Sequence, residues 1–172
     1  MSKLSTIMKW IESVGTWAGK FAGWLLIALI GCIVYNVFMR YALNAPTIWA
    51  FDISYMLGGA IYLLGLAWVL KKDENVRVDI ISTRFSQRTR LLIDTVLNFA
   101  MFFPFVLFVF LTSLNITIHS WKIGERASTT IFYPPLYPLR TVITIGLFLL
   151  FLQGIVNTIR TLRLLLKGED HD

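Results

Sequence analysis

Four stretches of this chain are nearly unbroken runs of apolar side chains, and each is about one bilayer long. They run from Phe21 to Met39, from about Trp49 to Leu70, from about Leu91 to Leu114 and from Thr141 to Ile159. A helix crossing ~30 Å of hydrocarbon needs about 20 mostly apolar residues. The first and fourth runs carry no charge; the second has Asp52 near its start, and the third has Asp94 near its start and Pro104 near its middle. Lipid offers the backbone no hydrogen-bond partners, so segments that span must be helical. The ten-residue alternation of a membrane β-barrel is absent. Pro104 removes one helical hydrogen bond and predicts a kink.

Residues 2–20 have a different pattern. Leu4, Ile7, Met8, Ile11, Val14 and Ala18 share a stripe at helical spacing, with Trp10 and Trp17 at its margin and Lys3, Lys9, Glu12 and Lys20 elsewhere. Such a helix lies in the membrane interface with its tryptophans at headgroup depth, or packs on protein. The pattern therefore predicts an all-α membrane protein. It has four transmembrane helices plus an N-terminal amphipathic interfacial helix, in a single membrane domain. Spread lysines and the lack of a small-residue cleavage pattern predict that the first run stays in the mature protein.

Composition agrees: 56% of the 172 residues are hydrophobic and 15% are charged, against ~45–50% and ~25% for a soluble domain. The net charge of +6 does not point to nucleic acid, because the bases flank apolar runs. Twelve of the 16 Lys and Arg fall in the N-terminal tail, the loop 71–90 and the C-terminal tail. The opposite side keeps Arg40, Lys122, Arg126 and Arg140. Short loops rich in Lys and Arg stay in the cytoplasm. Both termini and the loop 71–90 are thus expected to be cytoplasmic, and the loop 115–138 periplasmic, in a bacterial inner membrane.

Within 71–90, Asp79 is placed to cap a short helix through Phe85, and Ser86 to cap the third span. On the other side, Tyr133-Pro134-Pro135 and Tyr137-Pro138 predict extended, stiffened backbone. That loop either docks a partner or connects spans while its tyrosines anchor at the headgroups.

Catalytic chemistry lacks an inventory. His119 and His171 lie outside the spans, Cys32 stands alone, and no phosphate loop, metal-spacing motif or nucleophile triad is present. No cofactor, metal or catalytic residue is expected, and the chain is not read as an enzyme. Asp52 and Asp94 sit near helix N-termini, where the macrodipole favours an anion, rather than at mid-membrane. Arg40 and Asp52 suggest an ion pair clamping the outer end of the first hairpin. Gly58, Gly59, Ala60 and Gly65 give the second run a face for close helix approach. The inverted repeat of a complete secondary transporter is missing.

Four motifs recur together. They are Phe38-Met39-Arg40-Tyr41 followed by Trp49 and Asp52; Lys71-Lys72-Asp73-Glu74-Asn75-Val76-Arg77-Val78-Asp79; Gly124-Glu125-Arg126 with Ser128 and Tyr133-Pro134-Pro135; and Leu152-Gln153-Gly154. Across nearly the whole chain this resembles the small DctQ-type subunit of tripartite ATP-independent periplasmic (TRAP) transporters. One position departs: the family often has histidine where this chain has Asn75. The resemblance implies a scaffold bracing a large multi-span transport subunit that imports small organic acids, usually carboxylates, with sodium. It also implies a periplasmic solute-binding protein as partner. Arg40, Trp49, Asp52, Arg77, Asp79, Glu125, Arg126 and Gln153 become structural or partner-contact candidates. Two other classes remain open, a self-sufficient four-helix exporter and the membrane anchor of a respiratory complex.

Overall fold

The computed structural model describes residues 3–72, 87–128 and 130–167. Its helices are α1 (Lys3–Ala42), α2 (Ala50–Lys72), α3 (Gln87–Leu97), α4 (Phe103–Ile123) and α5 (Tyr137–Lys167). A π-helical turn, Asn98–Phe102, joins α3 to α4. Four stretches are long and apolar enough to cross a membrane: Thr6–Ala42, Ala50–Leu70, Thr95–Ile123 and Tyr137–Arg163.

α1 corrects the expected boundary at residue 20. Its 40 residues form one helix, roughly 60 Å long at 1.5 Å per residue. No proline interrupts it, and packing carries it through. Gly15 lies against Gln153, and Gly19 lets the Trp68 ring so close that a Cβ would sit 2.6 Å from its Cγ. Glu12 is ion-paired with Arg160. The amphipathic stretch is therefore the first half of a long helix that packs on α2 and α5.

The π turn replaces a plain kink at Pro104. The proline ring crowds the carbonyl four residues back and offers no N–H. The chain responds by widening one turn, with Phe103 N–H bonding Asn98 O five residues back. α4 then runs to Ile123, so residues 115–123 are helix rather than loop. Hydropathy falls there because Thr117 and Ser120 are polar, but both are buried. Gly124 ends the helix in the left-handed region (φ 58°). There its missing Cβ removes the penalty, and Glu125 N–H closes on Ser120 O at 3.0 Å. α5 extends beyond its predicted run at both ends.

α5 packs against every other described helix. In its most apolar stretch 39% of residues are buried, against 6%, 12% and 6% in the other three. It is the central strut, with the α1–α2 hairpin on one flank and α3–α4 on the other. Gly146 brings α5 onto the Leu63 backbone, and Gly154 brings it onto the Phe102 ring. Between α4 and α5, Ser113 and Thr117 meet the Thr144 hydroxyl at 2.9 and 2.8 Å, and Phe110 lies over Phe148. Large apolar side chains elsewhere point outward, among them Trp24, Ile27, Val34, Phe105 and Phe108.

Candidate functional site

The expected Arg40–Asp52 clamp is not formed. Arg40 instead lies over the Tyr41 ring at 4.8 Å and reaches its hydroxyl at 3.4 Å. The hairpin is fastened by neutral groups: Thr47 donates to Asn36 Oδ1 at 2.6 Å, Ser54 to Cys32 Sγ, and Cys32 to Ala50 O. Trp49 stacks on Tyr35 with ring centres 5.7 Å apart. An exposed arginine keeps its hydration, whereas these small groups already lie between two helices and bond what they meet.

Asp52 turns elsewhere. It occupies the first turn of α2 and is 7% exposed. With Phe51, Tyr55 and Met56 it forms one wall of a cleft of about 440 Å³. The other wall is the loop after α4, including Glu125, Arg126, Thr130, Pro134 and Leu136. The cleft thus gathers three of the eight candidates, Asp52, Glu125 and Arg126.

The loop wall is held at its neck. Leu136 N–H bonds Glu125 O and Ala127 N–H bonds Pro134 O, both at 2.9 Å. Arg126 and Pro135 form an antiparallel bridge. Arg140 Nη2 donates to Glu125 Oε1 at 2.5 Å, and this hydrogen bond holds the Glu125 carboxyl below its ordinary range. Tyr133, expected to be extended before proline, takes φ 49° instead. The short bridge needs a reversal between its two sides, and Tyr133 supplies a left-handed residue there.

Gln153 is remote from the cleft, roughly 24 Å along α5 from Tyr137. It is 1% exposed, and neither amide atom has a hydrogen-bond partner. Arg77 and Asp79, with the caps expected at Asp79 and Ser86, lie outside the described residues. Sequence reading missed Arg140 and Thr130. Arg140 sits one turn into α5, and only its pairing with Glu125 distinguishes it from an ordinary juxtamembrane base. Among the described residues, no group of three or more His, Cys, Asp or Glu could hold a metal ion.

Long apolar helices around a central strut, with a cleft that gathers Asp52, Glu125 and Arg126 at one end, define a multi-pass helical membrane protein. The model of the family "Tripartite ATP-independent periplasmic transporters, DctQ component" matches residues 29–164. The chain belongs to that family: it is a multi-pass inner-membrane component of a TRAP transporter, and not an enzyme. It is also similar to the "Sialic acid TRAP transporter permease protein SiaT" of Haemophilus influenzae (strain 86-028NP). That similarity is 26% identity over 102 residues, covering 59% of this chain and 16% of the relative. The chain thus spans about a sixth of that relative's length.

Proposed function

We infer that this chain is the scaffold subunit of a sodium-coupled, binding-protein-dependent importer of small organic acids. One observation carries the scaffold role. The chain's burial is concentrated in α5, while α1, α2 and α4 turn large apolar surfaces outward. A brace needs that combination, a fixed spine with faces left for lipid and for a larger membrane partner. The partner is a multi-span transport subunit, and the much longer SiaT permease, of which this chain matches a small part, supports it. A periplasmic solute-binding protein completes the system. Sialic acid, named for that relative, is itself a carboxylate, so the carboxylate class fits; the coupling ion follows from the family resemblance.

Orientation follows from charge: both termini and the loop 71–90 in the cytoplasm, the cleft outside. The first half of α1 then stands at the cytoplasmic face, since roughly 60 Å of helix exceeds ~30 Å of hydrocarbon. Trp10 and Trp17, both largely exposed, suit headgroup depth there.

The test is purification from native membranes in mild detergent. A large multi-span protein should accompany the chain; recovery of homodimers alone would overturn the assignment. Cysteines introduced at 75 and 128 should label from the inside and the outside respectively, and the reverse would overturn the orientation.

A further inference from the structure

The cleft beside Asp52 holds more unsatisfied polarity than a connector between spans requires. Asp52 is only 7% exposed and is one of the residues that line the cleft. No hydrogen bond or ion pair reaches it from any described residue. On the facing wall the Thr130 hydroxyl is buried and also without a partner. The cleft's second carboxylate, Glu125, is already taken by Arg140. Its one cation, Arg126, is exposed and makes no ion pair among the described residues. Phe51 and Tyr55 also line the cleft, and each is 73% exposed.

We propose that this cleft receives an arginine side chain of the periplasmic solute-binding protein, with Asp52 as its counterion. The step rests on the subunit assignment above. A guanidinium fits the cleft: its planar fork bonds a carboxylate in bidentate fashion, and its face stacks on aromatic rings. Asp52 is largely buried and has no cation beside it among the described residues, so an incoming guanidinium supplies the counterion it lacks. The cleft lies at the loop end of the bundle, which a soluble protein can approach directly. A partner helix packed along the bundle would cover the helix faces instead. Arg126, in contrast, repels an incoming cation and tunes the encounter rather than anchoring it.

The experiment uses the assembled transporter in nanodiscs and its substrate-loaded binding protein, with affinity measured at several salt concentrations. Asp52→Asn keeps shape and removes charge. It should weaken docking at least about tenfold and flatten the salt dependence, while the large subunit still co-purifies. Tyr55→Ala should weaken docking by a smaller factor, and Arg126→Ala should leave it unchanged or tighter. Unchanged docking by Asp52→Asn would overturn the inference. Equal losses for Asp52→Asn and Arg126→Ala would also do so, because the counterion would then be the chain's own arginine. If Asp52→Asn abolishes recovery of the large subunit, the cation belongs to that subunit and the inference fails. If the wild-type chain never recovers a large subunit, the subunit assignment fails first and takes this step with it.

Discussion

Arg140 Nη2 reaches Glu125 Oε1 at 2.5 Å, joining the residue just past α4 to the first turn of α5 and closing the loop between them at its neck. The Leu136–Glu125 and Ala127–Pro134 backbone bonds lie in the same neck. Because Arg140 stabilises the carboxylate, the folded Glu125 pKa lies below its unfolded value. Such a group contributes stability above the unfolded pKa of about 4.3 and loses it as pH falls through the folded value. Hydrogen exchange at the Ala127 and Leu136 amides should therefore lose protection below about pH 4.3. Glu125→Gln should show lower protection at neutral pH and no step in that window. A wild-type profile without the step would show that the ion pair does not hold the neck.

The outer end of the α1–α2 hairpin makes a second, contrasting case. Thr47 and Asn36 bond at 2.6 Å, whereas among the described residues the polar and ring contacts of Arg40 are with its neighbour Tyr41. Thr47→Val leaves the part-buried Asn36 oxygen without its donor and should destabilise the chain by about 1–2 kcal/mol. Arg40→Ala should change stability by less than about 0.5 kcal/mol. Thermal unfolding in detergent separates the two, and a larger loss for Arg40→Ala would restore the charged clamp.

These outcomes show what the sequence made legible. Long apolar runs report transfer energy directly, so the four helices long and apolar enough to cross a membrane could be read from hydropathy. Helix ends were harder, because a helix continues wherever buried neighbours bond its polar side chains. Thr117 and Thr144 do so across α4 and α5. The π turn required knowing how one proline's crowding would be absorbed. Asp52, Glu125 and Arg126 were found as motif members, but their convergence on one cleft depends on how the loop folds back. Arg140 carried no motif. Its role came from a pairing that sequence spacing does not display.

Glycine positions sort the same way. The second run's small residues suggested a close-approach face, yet Gly58 and Gly65 have open space around them. The tight contacts are elsewhere: a Cβ on Gly154 would lie 2.3 Å from Phe102 Cε1, and one on Gly146 would lie 3.0 Å from Leu63 Cβ. Gly154→Ala must displace a ring packed beside the π turn and should destabilise by about 1–3 kcal/mol. Gly58→Ala should be neutral or slightly stabilising in the isolated chain, since alanine is the better helix former by up to ~1 kcal/mol. Unfolding midpoints of the purified subunit decide it. If Gly58→Ala instead reduces recovery of the large subunit, that open face is where the partner packs.

Gln153 poses the sharpest question about stability. It is 1% exposed, both amide atoms lack partners, and its oxygen lies 3.5 Å from where a Cβ on Gly15 would stand. Leaving a buried polar group unpaired costs about 1–3 kcal/mol, and an apolar residue of similar shape avoids that cost. Gln153→Met matches the length and flexibility of the side chain without its polar atoms, so it should raise the unfolding midpoint of the isolated subunit. The scale is roughly 2–4 °C for each kcal/mol gained in a chain of this size. Asn157, one turn further along α5, offers the control because its amide donates to Leu70 O at 3.3 Å. Asn157→Leu should therefore lower the midpoint. Should Gln153→Met lower it as well, the amide is bonded in the native bundle, and an ordered water between α1 and α5 is the partner the geometry permits.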